Sequence, residues 1–176
     1  MTEVNAAAGP PATPVPAQPW PRIVLIAAAL IETLGAVNDL PILFVDKPEV
    51  PGSGLGGWII TAKLALTPIA AIAALVFALR GRMRHALVAM AAVILLTWLS
   101  TLPSVAINGL DFEGSFPVVL QMMFQIGLAP FIAATVAALA VRDQRLPFAT
   151  FVAVLPTFVS VLSIAAFAIG VAMYGF

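Results

Sequence analysis

The sequence predicts an all-α membrane protein, a bundle of five transmembrane helices with a cytoplasmic N-terminus and an external C-terminus. Three observations lead there. Of 176 residues, 62% are hydrophobic and only 9% charged, with a mean hydropathy of +1.10, which lies outside the range of soluble domains. Five apolar runs are each long enough to cross about 30 Å of hydrocarbon at about 1.5 Å per residue. Arginines gather in alternate connections, the pattern expected of loops retained in the cytoplasm.

The chain opens with a Pro- and Ala-rich stretch, residues 1–21, "MTEVNAAAGPPATPVPAQPWP". It has no apolar periodicity and reads as a disordered, extended tether. No basic region precedes a hydrophobic one within it, so it is not a signal peptide. Residues 22–176 form the expected bundle, with spans at about 22–45, 57–79, 86–107, 116–141 and 147–174. An alternative for the first span is a late signal peptide cleaved near Ala36, which would leave four spans. Leu34 at the −3 position and the long preamble count against it.

The connections "RGRMRH" and "RDQR" are basic, whereas "DKPEVPGSGLGG" and "NGLDFEGS" are acidic or nearly neutral. Placing both arginine loops inside also puts Arg22 on the inner flank of the first span. Ala28, Glu32 and Gly35 share a face, as do Ala133 with Ala137 and Ala166 with Gly170; small residues there allow close helix approach. Pro68, Pro103, Pro130 and Pro156 fall inside spans two to five, each leaving a carbonyl that needs another donor. Pro117 and Pro147 lie near helix starts, where the missing N–H costs nothing. Trp20, Trp58 and Tyr174 read as interfacial anchors. Trp98 is deeper, so its indole N–H requires a partner.

Against this apolar background the stretch "IETLGAVNDLP", residues 31–41, is anomalous. Counting from Arg22, Glu32 lies about 15 Å and Asp39 about 25 Å from the inner surface. Counting inward from Trp58, Lys63 lies about 7 Å deep, near the level of Asp39, so the two are expected to pair. Gln121 and Gln125 on the fourth span are spaced i, i+4, and Gln125 falls close to the level of Glu32. Asn38, Thr67, Thr97, Ser100 and Ser160 add supporting polar groups. An ionisable side chain at mid-bilayer costs about 2.5–3.5 kcal/mol on insertion scales, so it faces the bundle interior and finds partners. Glu32, Asp39, Lys63, Gln121 and Gln125 are therefore the expected substrate- or ion-binding set, around an interior reached from the outer side. The competing expectation is structural: a hydrogen-bonded Glu32 that fixes helix register, and an Asp39–Lys63 pair near the interface.

Several classes of chemistry are excluded or disfavoured. There is no cysteine and one histidine, His85, so neither thiolate nor paired-histidine metal ligation is available, and no metal or cofactor is expected. Eight basic and eight acidic side chains balance, which removes the electrostatic case for nucleic acid. Gly52, Gly54 and Gly57 match a dinucleotide-loop spacing, but no strand precedes them. Met122, Met123 and Phe124 read as lipid-facing or gap-filling residues. Enzyme chemistry would need a Ser or Thr near Lys63, and no motif supports it. Two functions remain. One is a small secondary transporter or channel for protons, cations or a small polar solute, located in a bacterial inner membrane and completed by homo-oligomerisation. The other is a non-catalytic accessory subunit of a larger membrane complex. The lipid bilayer is the one partner both require.

Overall fold

The computed structural model of the chain describes residues 19–44, 54–109, 116–143 and 145–174. Residues 1–18, nearly the whole of the expected tether, lie outside the described residues. Helix α1 spans Trp20–Asp39 and tightens into a 3-10 segment, Leu40–Phe44. The helices α2 (Leu55–Leu79) and α3 (Met83–Asn108) follow. The fourth span is interrupted: α4 (Phe116–Met123) passes through a π-helical turn, Phe124–Leu128, into α5 (Ala129–Val141). The last helix, α6, runs Leu146–Tyr174. Among the described residues, five helical segments are long and apolar enough to cross a membrane.

Helix ends differ from the expected ones where local chemistry intervenes. The first α-helix stops before Pro41, which supplies no N–H to continue the ladder, and the chain tightens to 3-10 geometry instead. The "RGRMRH" connection shrinks because Gly81 takes φ +73, a left-handed conformation that ends α2 in a Schellman motif. There the Arg82 N–H bonds to Phe77 O at 2.8 Å and the Gly81 N–H to Ala78 O at 3.1 Å. Met83, Arg84 and His85 thus belong to the first turn of α3 rather than to a loop. Nothing in the sequence pattern had indicated the π turn before Pro130.

The helices form a ring: α1 packs on α2, α2 on α3 and α3 on α5, while α6 closes it against α1 and α5 and touches α3. The principal apolar core is built mainly of alanines, including Ala28, Ala29, Ala74, Ala78, Ala86, Ala91, Ala133, Ala140, Ala149 and Ala153, with Leu25, Leu87, Met90 and Val136. Small side chains let backbones approach, and close packing supplies the attraction that lipid tails cannot. These positions all lie toward the arginine-rich end, so that half of the bundle is sealed.

The first four spans repeat one pattern. A shift of 62 positions (84 − 22) carries Arg22 onto Arg84, Leu25 onto Leu87, Ala29 onto Ala91, Pro41 onto Pro103, Leu66 onto Leu128, Pro68 onto Pro130, Ala71 onto Ala133, Ala78 onto Ala140 and Arg80 onto Arg142. Burial follows the same shift: Leu25, Leu87, Ala78 and Ala140 are each fully buried, and so are Ala74 and Val136, which differ in identity. The hydrogen bonds repeat too. Arg22 donates to Ala78 O at 3.2 Å and Leu79 O at 2.6 Å, and Arg84 donates to Ala140 O at 3.1 Å and Val141 O at 3.0 Å. Each arginine clasps the last carbonyls of its hairpin partner, where acceptors lack intrahelical donors and the helix dipole is negative. The bundle is two copies of a helical hairpin plus one closing helix, and both copies enter from the same end.

Candidate functional site

Where the two hairpins diverge, the polar residues appear. The repeat sets Glu32 against Ile94, Asp39 against Thr101 and Lys63 against Gln125. The first copy thus holds the charged groups and the second holds neutral ones.

Glu32 is half-buried on α1 and accepts a 2.7 Å hydrogen bond from the Thr157 hydroxyl on α6. Beside it lies a cavity of about 80 Å³ lined by Glu32, Thr97, Trp98, Gln125 and Ser160, with Val93, Ile94, Phe124, Ala129, Pro156 and Val159 as its apolar walls. The lining comes from α1, α3, the π turn, α5 and α6. Ile94 and Ala129 belong both to this wall and to the packed core, so the cavity begins where the alanine-rich seal ends.

The π turn is held by a specific exchange of partners. Pro130 has no N–H, so the Ile126 carbonyl, four residues earlier, loses its α-helical donor. The Trp98 indole donates to Ile126 O at 3.2 Å. One bond therefore meets both the need of the deep tryptophan and that of the carbonyl freed by Pro130. It also holds in place the turn that bears Gln125; π turns of this kind recur at functional sites.

The remaining predicted residues separate into other settings. Asp39 and Lys63 form an ion pair at 3.3 Å, with side chains 41% and 23% exposed. They link α1 to α2 near the arginine-poor end and do not line the cavity. Glu32 and Asp39 share a face of α1 yet engage different neighbours, α6 and α2. Gln121 lies on α4 with its side chain outside the described ones, so its expected partnership with Gln125 has no geometry to report. Asn38 is exposed. The Ser100 hydroxyl donates a local hydrogen bond to Thr97 O at 2.7 Å, and Ser100 does not line the cavity. The Thr67 hydroxyl is buried and has no hydrogen-bond partner among the described residues.

Thr157 was missed by inspection of the sequence, although a signal existed. It lies ten residues beyond Pro147 as Glu32 lies ten beyond Arg22, so helical rise puts both about 15 Å from the same end. Among the described residues no group of three or more His, Asp or Glu side chains is arranged to hold a metal ion. Comparison with protein-family models, curated proteins and solved structures finds no match to this chain.

Proposed function

We propose that the protein is a small secondary transporter or channel for protons, small cations or a comparably small polar solute, with Glu32 as its coupling or selectivity carboxylate. The observation that carries this reading is a half-buried carboxylate on a largely apolar cavity that also takes Thr97, Gln125 and Ser160 into its lining, at the junction of two repeated hairpins. Intramembrane carboxylates mark ion and proton pathways, and transporters built from repeats place their sites near the midplane where the repeats meet. The cavity has room for water beside the carboxylate, as a proton or small-cation pathway needs.

The chemistry follows from the partners. The Thr157 hydroxyl holds one carboxylate oxygen and fixes the side chain, while Gln125, Thr97 and Ser160 offer neutral oxygens to a cation or water beside it. The alanine-rich packing closes the arginine-rich end, so access is from the opposite end, and turnover requires that the hairpins shift against α6. In the proposed orientation the arginine-rich end faces the cytoplasm of a bacterial cell, and a homo-oligomer completes the pathway. Neither this reading nor the next includes catalysis.

A second reading, an accessory subunit of a larger membrane complex, is favoured by one observation. Glu32 already has a 2.7 Å partner in Thr157, which is all that a helix-registering role needs. Proteoliposome flux separates the two. Wild-type protein should carry protons, monovalent cations or small solutes, and Glu32→Gln should abolish the dependence on pH or ion gradient. Absence of any wild-type flux, with Glu32→Gln folding and assembling normally, would assign the accessory role.

A further inference from the structure

The arginine-rich end holds a recess that the hairpin repeat does not require. A groove of about 530 Å³ lies between α2, α3 and α5, walled by Ala70, Phe77, Val88, Ala92 and Val141. It is open on the lipid-facing side, where Val88 and Val141 are exposed. From His85 to Ala92 on α3, and from Phe77 back to Ala70 on α2, it runs about 10 Å into the hydrocarbon. Alanines leave the trough; the Phe77 and His85 rings, 5.3 Å apart and tilted by 43°, stand at its mouth.

Arg84 and His85 also line a second recess of about 370 Å³, which adds Gly81, Arg82 and Asp143. Arg84 and His85 therefore stand between an apolar trough at hydrocarbon depth and a polar recess at headgroup depth. The recess holds two arginines against one carboxylate, Asp143, which is 3.9 Å from Arg84. Arg84 uses two N–H groups on the α5 carbonyls, and a guanidinium has five. The clasp of the other hairpin, Arg22, is followed by Ile23 where this copy has His85, so the polar mouth is peculiar to the second copy.

The geometry points to a site for one anionic phospholipid of the leaflet at the arginine-rich end, with its phosphate on Arg82, Arg84 and His85 and an acyl chain in the α2–α3–α5 groove. Charge complementarity selects an acidic headgroup, and the trough selects a lipid over a soluble phosphate. The inference is independent of transport.

Native mass spectrometry of the full chain, titrated with phosphatidylglycerol and phosphatidylcholine of identical chains, tests it. Wild-type protein should prefer phosphatidylglycerol, and Arg82→Gln should weaken that lipid by about fivefold and phosphatidylcholine by less, so that the preference narrows. Ala92→Leu, a change at an exposed helix face, should fill the trough and weaken both lipids. Inorganic phosphate should not displace phosphatidylglycerol. Equal wild-type binding of the two lipids, unchanged binding in Ala92→Leu, or displacement by inorganic phosphate would each overturn the site. Should Ala92→Leu fail to fold, the Arg82→Gln comparison decides alone, and an unaltered preference there refutes the proposal.

Discussion

A few side chains determine how this bundle tolerates polar groups. Trp98 is the clearest case, because its N–H replaces the donor that Pro130 lacks. Trp98→Phe should cost about 1–3 kcal/mol by stranding the Ile126 carbonyl. In the Pro130→Ala background, where a backbone N–H returns, the same change should cost clearly less, as read by thermal unfolding in detergent. The Asp39–Lys63 pair is partly exposed and therefore modest. A double-mutant cycle with Asp39→Asn and Lys63→Gln should return a coupling of about 1 kcal/mol, with each single change worse than the pair; additive losses would mean that the contact carries no energy. Glu32 and Asp39 were conspicuous in the sequence because charge is scarce there. Thr157 was not, since one hydroxyl in an apolar run looks unremarkable until its depth is compared with that of the carboxylate.

At the level of helices, apolar length made all five segments legible, whereas their ends and interruptions depended on backbone events. Gly81 illustrates the point. Its left-handed φ closes α2 and recruits three residues of an apparent loop into α3. Gly81→Ala should destabilise the protein by about 1–2 kcal/mol, the cost of a Cβ in that conformation. No atom lies within 4 Å of the added methyl group, so a thermal shift would report backbone strain alone. The equivalent position in the other connection is Asp143, also left-handed at φ 53; Asp is among the residues that tolerate this region. The hairpin repeat itself was present in the sequence but hidden, because alanine and leucine identities carry little information among apolar runs. Matching arginine clasps and matching burial brought it out. The π turn left no sequence signal beyond Pro130, which alone does not specify it.

For the whole molecule, the repeat explains why charge segregates: two copies of a hairpin that begins and ends with arginine put Arg22, Arg80, Arg84 and Arg142 at one end. If that end is cytoplasmic, cysteine introduced at Arg145 should be shielded from an impermeant thiol reagent in intact cells, while cysteine at Leu55 should react. The native chain contains no cysteine to obscure the result. Reaction at position 145 from outside would invert the orientation. The same architecture packs the arginine-rich half with alanines and gathers polar side chains beyond them, where Glu32 from one hairpin and Gln125 from the other line one cavity beside α6. A transport role for Glu32 requires that this junction be a water-reached cavity rather than a dry contact. The most direct test compares Ser160→Cys, on the cavity wall, with Phe158→Cys, two residues away at nearly the same depth but exposed on the lipid-facing side. Thiol reagents attack the thiolate, which requires water. A small cationic methanethiosulfonate applied to membranes should modify Ser160→Cys at least about tenfold faster than Phe158→Cys, whereas equal, negligible rates at both positions would mean that the junction is dry and Glu32 no part of a pathway.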